Sequence, residues 1–212
     1  MTTSKGFVVV SAMIRLIIFL CCCFTVPNIF ADAKIVVLGD SISASYGIKQ
    51  EQSWVALLQQ RLRDKDYPYQ TINASISGDT TSGGLQRIDK VLANHSPAIV
   101  IVELGGNDGL RGLSLKTIRQ NLLDIITKCE QKNVKVLLAG MQLPPNYGVA
   151  YTNGFSRIFT SLSAEKNIPL VPFILQGIES DMRYFQEDRI HPNAKAQIVL
   201  LDNVWPILEP ML

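Results

Sequence analysis

Along residues 34–212, short apolar runs alternate with amphipathic stretches, and each change of period falls on glycine, proline or a cluster of small polar residues. Lys34-Ile35-Val36-Val37-Leu38 is a continuous β-branched run that stops at Gly39-Asp40-Ser41. Apolar residues without alternation mark a strand buried on both faces, and the small-residue stop marks a tight turn. Trp54, Leu57, Leu58 and Leu62 recur at helical spacing and predict a helix over about residues 52–64, closed by Tyr67-Pro68. Tyr69 to Ala74 is a second short strand, and Ser75 to Thr80 is the loop at its carboxyl end. Leu85, Ile88, Val91 and Leu92 mark a second helix. Ala98 to Leu104 is the clearest strand, followed by Gly105-Gly106-Asn107-Asp108. A third helix fills roughly 114–131 with Ser114 as its N-cap. Val134 to Ala139 is a fourth strand, leading into the proline-bearing loop from Gln142 to Gly148. Helical spacing returns at Phe155, Ile158, Phe159 and Leu162. Ile168 to Pro172 is a fifth, weaker strand. A less regular stretch then reaches Asp188 and His191, and Pro192 is expected to open a final helix carrying Ile198, Val199, Leu200 and Trp205.

Strands that alternate with helices predict an α/β fold: a five-stranded parallel sheet with helices on both faces. No repeat, linker or second domain interrupts it, so residues 34–212 read as one domain. In such sheets ligands and chemistry sit beyond the carboxyl ends of the strands. Ser41 is placed there by the first strand.

Residues 1–33 differ in kind. Lys5 and Arg15 precede an apolar core from Leu16 to Val26, then Pro27-Asn28 and the small-x-small exit Ala31-Asp32-Ala33. This is the pattern of a secretory signal peptide, with cleavage after Ala31 or after Ala33. Arg15 interrupts the apolar run and argues against an uncleaved anchor. The residues before Cys21, Cys22 and Cys23 do not form a lipoprotein site. A periplasmic or secreted location follows, with no stable membrane anchor after cleavage. Removing the segment lowers the formal charge from +2 to +1 and leaves Cys129 as the sole cysteine. The mature chain then has no internal disulfide even in an oxidising compartment. Cys129 keeps helical step with Leu115, Ile118, Leu122 and Ile126 and reads as a buried, inert thiol. The small net charge and the lack of basic runs exclude nucleic acid as a partner.

A serine hydroxyl becomes a useful nucleophile only beside a base, and the base needs a third group to orient it. The chain has two histidines. His95 precedes the third strand, at the opposite edge of the sheet, and reads as a solvated loop residue. His191 lies where a late turn can fold back over the carboxyl edge, and Asp188 precedes it by three residues. Aspartate there would hold the imidazole tautomer and stabilise the imidazolium. Pro192 at a first helical position would set His191 near a helix amino terminus, whose dipole opposes the effect of Asp188 on the ring. Acyl transfer also needs donors for an oxyanion, and the N–H groups of Ser41 and Gly78 with the side-chain amide of Asn107 all follow strand ends. Asp40 reads as a turn anchor and Glu187 as surface. Apolar side chains in the loops Leu110–Leu113 and Leu143–Tyr147 offer walls for an acyl groove.

Gly39-Asp40-Ser41, Gly78, Gly105-Gly106-Asn107-Asp108 and Asp188-x-x-His191 together resemble the four blocks of the SGNH (GDSL-type) hydrolase family, in order and across nearly the whole of residues 34–212. The strings Asn73 to Thr80 and Glu103 to Gly112 resemble its periplasmic branch known as thioesterase I, protease I or lysophospholipase L1. Leu143-Pro144-Pro145-Asn146-Tyr147-Gly148 resembles that branch's substrate-facing loop. The resemblance implies Ser41 as nucleophile, Gly78 and Asn107 in the oxyanion hole, and Asp188 and His191 completing a triad. It implies a three-layer, flavodoxin-like sheet of order 2-1-3-4-5 and neither metal nor organic cofactor. Ile42 stands where the family's leucine would be, and Arg189 where a small residue is expected. The second departure bears on substrate choice rather than on mechanism.

The expected activity is hydrolysis of medium- to long-chain acyl esters and thioesters through an acyl-enzyme, by a monomer acting on small-molecule substrates. Leu110, Leu113, Leu143, Pro144 and Tyr147 are the expected acyl contacts. A carbohydrate O-deacetylase would use the same constellation on an acetyl group. A non-catalytic nucleotide-binding module is the alternative of another class, but the first turn lacks Gly-x-Gly-x-x-Gly and no acidic residue ends the second strand.

Overall fold

The computed structural model describes residues 33–212, so the expected signal segment lies outside the described residues except for Ala33. Five parallel strands form one sheet in the order β2-β1-β3-β4-β5: β1 (Ala33–Gly39), β2 (Tyr69–Asn73), β3 (Ile99–Glu103), β4 (Lys135–Ala139) and β5 (Leu170–Val171). Among the described residues six α-helices accompany them: α1 (Trp54–Asp64), α2 (Thr81–His95), α3 (Gly106–Leu110), α4 (Leu115–Glu130), α5 (Val149–Lys166) and α6 (Gln197–Leu208). This is the three-layer α/β architecture, and the strand order, expected from the sequence.

The pleat sends successive side chains to opposite faces, which gives two cores. Val36, Leu38, Val100, Val102, Val136 and Leu138 face Ile88 and Val91 of α2, Ile118, Leu122, Ile125 and Ile126 of α4, and Phe155 and Phe159 of α5. Ile35, Val37, Ile99, Ile101, Leu137 and Ala139 face Trp54, Leu58 and Leu62 of α1 and Leu200, Leu201, Val204 and Leu208 of α6. Each such fully buried side chain contributes roughly 1.5–3 kcal/mol relative to exposure. Burial on both faces is why β1 and β3 read as unbroken apolar runs. Cys129 is fully buried in the first core, and burial pushes its thiol up to about 12.

Four local expectations need correction. The last helix starts at Gln197, not Pro192. Residues 191–193 instead lie antiparallel to 184–186, with Gln186 N donating to the His191 carbonyl and Asn193 N to the Tyr184 carbonyl. His191 therefore sits in a short ladder and feels no helix amino terminus. The fifth strand is cut to Leu170–Val171 because Pro169 and Pro172 on either side have no N–H to give a ladder. Ser114 precedes α4 without a side-chain cap bond, whereas Ser53 caps α1 and Thr80 caps α2. His95 is the half-buried last residue of α2 rather than a loop residue, although it does lie at the opposite edge of the sheet.

Gly140 shows how tightly β4 is joined to the segment after β5. Its N–H donates to the Val171 carbonyl, its own carbonyl accepts from Ile174, and a Cβ there would lie 2.4 Å from the Pro172 carbonyl oxygen. That contact is backbone and cannot rotate away. Gly140→Ala is expected to destabilise the fold by about 1–3 kcal/mol, read as a lower urea midpoint with unchanged slope.

Candidate active site

The β1 ladder ends at Gly39, and the chain turns sharply so that Asp40, Ser41 and Ile42 cross the carboxyl edge of the sheet. Two buried carboxylates build this turn. Glu103, at the end of the neighbouring β3, accepts from Asp40 N at 3.2 Å and from Ser43 Oγ at 2.6 Å through Oε2. Trp54 Nε1 donates to the same Ser43 Oγ at 3.2 Å. Gly39 has to be glycine here, because a Cβ would lie 2.5 Å from Glu103 Oε2. Asp40 accepts from Ile42 N at 3.0 Å through Oδ1 and from Asn107 Nδ2 at 3.1 Å through Oδ2. It is the turn anchor expected from the sequence, and it also grips Asn107.

Burial, with the Asp40 charge beside it, holds the Glu103 carboxyl well above the usual glutamate range. Burial pushes Asp40 up to about 6, offset in part by its hydrogen bond from Ile42. Glu103 Oε1 has no partner among the described residues, which fits a carboxyl kept neutral.

Ser41, His191 and Asp188 come together although 150 residues separate the first two. His191 Nε2 lies 2.9 Å from Ser41 Oγ, and His191 Nδ1 lies 2.7 Å from Asp188 Oδ2. Asp188 Oδ1 accepts the backbone N–H groups of Ile190 and His191, both at 2.9 Å, so the carboxylate shapes the turn that carries the histidine. Those hydrogen bonds, led by the one from His191 N–H, hold Asp188 down at about 2. An ionised carboxylate only accepts, so Nδ1 must carry the ring proton and Nε2 faces the serine hydroxyl as an acceptor. Tyr46 lies tilted over the imidazole with ring centroids 4.4 Å apart. Gln186 Nε2 donates to the Tyr46 carbonyl at 2.8 Å and to the Pro192 carbonyl at 3.1 Å, tying the serine loop to the histidine loop.

The Ser41 and Gly78 N–H groups have no protein acceptor among the described residues. Gly78 takes φ +79°, a conformation that a side chain would strain, at the tip of the loop after β2. Asn107 opens the short helix α3, and its Nδ2 donates to Asp40 Oδ2 and, at 2.9 Å, to the Asp79 carbonyl. Both amide hydrogens are thus engaged, and a developing anion would have to share one of them.

Beside Ser41 lies a cavity of about 470 Å³. Ile42, Leu110, Met141, Leu143 and Pro144 form one wall, so three of the five residues proposed from the sequence as acyl contacts, Leu110, Leu143 and Pro144, lie on it. Leu113 and Tyr147 do not line it. Leu113 is exposed, and Tyr147 instead fastens the two loops by donating from Oη to the Leu110 carbonyl at 2.9 Å. The opposite wall, from Phe173, Ile174, Met182, Phe185 and Ile190, escaped the sequence reading because residues 172–190 carry apolar side chains without a period. Arg189 also lines the cavity and holds φ +58°, which accounts for the small residue expected at this position.

Residues 37–197 match the GDSL-like Lipase/Acylhydrolase family. This chain belongs to that family. Over 182 residues it is 51% identical to the esterase TesA of Pseudomonas aeruginosa, spanning 86% of this chain and 90% of that one. It is 39% identical to the thioesterase 1/protease 1/lysophospholipase L1 of Escherichia coli K12, spanning 86% of each. The crystal structure of TesA superposes with a TM-score of 0.83 at 50% identity, covering 84% of this chain and 99% of that one. The psychrotrophic esterase EstA from Pseudoalteromonas sp., in a structure inhibited by monoethylphosphonate, superposes at 0.81 with 38% identity over 84% and 98% of the chains.

The displaced carboxyl of Asp40 carries a stability signature. Its folded pKa lies above its unfolded one, so the folded state binds more protons between the two. Its contribution is full below about 4 and is lost as pH rises through about 6. Asp188 has the opposite sign: its contribution is present above the ordinary aspartate range and is lost only towards pH 2. The urea midpoint should therefore fall between pH 4 and pH 6.5, and this slope should flatten in Asp40→Asn. The same slope in both proteins would exclude Asp40 as its source.

Proposed function

We propose that this chain is a serine acyl hydrolase that cleaves esters and thioesters of medium- to long-chain acids through an acyl-enzyme. The observation that carries the reading is the hydrogen-bonded line Ser41–His191–Asp188 beside a largely apolar cavity that is lined by its chain neighbours Ile42, Arg189 and Ile190.

His191 Nε2 takes the hydroxyl proton as Ser41 Oγ attacks the acyl carbonyl carbon. Asp188 stabilises the imidazolium and keeps the ring in register. The carbonyl oxygen becomes an oxyanion, received by the N–H groups of Ser41 and Gly78, while Asn107 turns one amide hydrogen from its present acceptors towards it. As the tetrahedral intermediate collapses, His191 returns the proton to the departing oxygen or sulfur and the acyl group stays on Ser41. Water then attacks the acyl-enzyme, gives its proton to His191, and releases the acid with Ser41 restored. The apolar walls favour an acyl chain over an acetyl group next to a sugar, which sets the deacetylase reading behind this one. A phosphate-binding turn is disfavoured as well, since the Asp40 and Ile42 N–H groups are already spent on carboxylates.

Export places this activity in the periplasm or outside the cell. Ala33 already belongs to β1 and donates to the Pro68 carbonyl at 3.0 Å, so cleavage after Ala31 keeps the strand whole. Amino-terminal sequencing of the exported protein should begin at Asp32; a start at Lys34 would choose the other site.

Initial rates on p-nitrophenyl esters from acetyl to palmitoyl test the activity. The rate should peak at medium or long chains and vanish in Ser41→Ala. Asn107→Ala should lower kcat by about 100- to 1,000-fold. Full activity in Ser41→Ala would remove the nucleophile assignment, and an acetyl optimum would favour the deacetylase.

A further inference from the structure

Arg87 lies in the second turn of α2, away from the cavity lining, yet its guanidinium ends among the loops that carry the site. Nε donates to Asp79 Oδ2 at 2.8 Å, and Nη2 lies 2.8 Å from the same oxygen. Nη1 donates to the Ala74 carbonyl just past the end of β2. Nη2 also reaches the Gly39 carbonyl at the end of β1, at 3.4 Å. One side chain therefore holds the ends of both strands whose loops bear Ser41 and Gly78.

Asp79, the residue after Gly78, passes this restraint on. Its Oδ1 accepts from Thr80 N at 2.9 Å, and its carboxylate lies so close over α2 that a Cβ on Gly83 would be 1.9 Å from Oδ1. Its carbonyl accepts one amide hydrogen of Asn107 at 2.9 Å. Both side chains of the pair are largely buried, with 18% of Arg87 and 10% of Asp79 exposed. Removing the cation would leave a nearly dry carboxylate without its counter-charge, and the loop would have to move to rehydrate it. Surface ion pairs carry no such leverage.

We propose that Arg87 is a positioning residue for the oxyanion hole. It fixes the Asp79 backbone, and with it the Gly78 N–H on one side and the Asn107 amide on the other. The inference rests on the acyl-hydrolase reading above and adds to it a residue remote from the substrate. The planar fork is essential, because three acceptors in different directions cannot be met by the point charge of a lysine.

The test compares wild type, Arg87→Lys and Arg87→Met on the acyl ester that wild type hydrolyses fastest. An oxyanion forms only on the way to the tetrahedral intermediate, so a loosened hole lowers kcat and spares KM. The expected loss in Arg87→Lys is about 10- to 100-fold in kcat, with KM within about threefold of wild type. A trifluoromethyl ketone carrying the same acyl chain should lose affinity in proportion to kcat/KM, because its adduct with Ser41 places an oxyanion in the hole. Binding of the product fatty acid should stay unchanged. In an Asn107→Ala background, Arg87→Lys should cost clearly less than in wild type, as expected for residues acting through one another.

Wild-type kcat in Arg87→Lys would overturn the proposal. So would a loss of kcat with an undiminished affinity for the ketone, since that would mark a merely structural role. If Arg87→Met fails to fold, Arg87→Lys and the double-mutant comparison decide. No hydrolysis by wild type would instead defeat the acyl-hydrolase reading, which keeps the two failures apart.

Discussion

Glu103 ends β3 with a fully buried carboxyl directly beneath the turn that carries Ser41, and the site is built on that contact. The carboxyl takes the Asp40 N–H and the Ser43 hydroxyl, so the main chain leaves β1 at a set angle. A side chain on Gly39 would fill the space the carboxyl occupies. A carboxyl in such a dry place is tolerated when it is neutral and hydrogen-bonded, and both conditions shape this one. Asp40, next above it, then directs one oxygen to its own turn and the other to Asn107. The serine and the amide beside it are thus oriented from below, by polar groups that never reach the cavity.

The sheet explains why so many remote residues can share this place. In a parallel sheet every strand delivers its following loop to the same edge. The two apolar cores make the strands rigid on both faces, and the loops are then joined across the top by side chains. Arg87 joins the β1 and β2 ends to the Gly78 loop, Asp108 accepts from Thr81 N at 2.9 Å to lock α3 to the start of α2, and Gln186 ties the serine loop to the histidine loop. Rigid strands set the site to within the loop lengths; these bonds set it to the ångström scale that proton transfer needs.

The cavity has a different character. One wall comes from the loops after β1, β3 and β4, the other from the long irregular passage between β5 and α6. That passage owes its shape to two prolines, a short ladder between 184–186 and 191–193, and the Asx turn of Asp188. It holds His191 and the apolar wall in one piece. Changes there would move His191 and reshape the cavity together.

The strands, their parallel arrangement and every helix but the short α3 were legible in residues 34–212, because burial on one or both faces imprints its period on the chain, while the strand order came only from the family resemblance. Gly39-Asp40-Ser41, Gly78, Asn107 and Asp188-x-x-His191 could be marked as well, since each breaks that period at a strand end or a late turn. The geometry of residues 184–193 was not. Pro192 fits a helix start locally, and only pairing with Phe185 made it extended. The far wall of the cavity was equally hidden: aperiodic apolar residues have no face until a partner surface exists. Nothing in the period of the chain marked Glu103 at the end of a strand or Arg87 in a helix. Their roles come from contacts across 63 and 48 residues of chain, where the energy of burying a polar group depends on what the fold has placed opposite it.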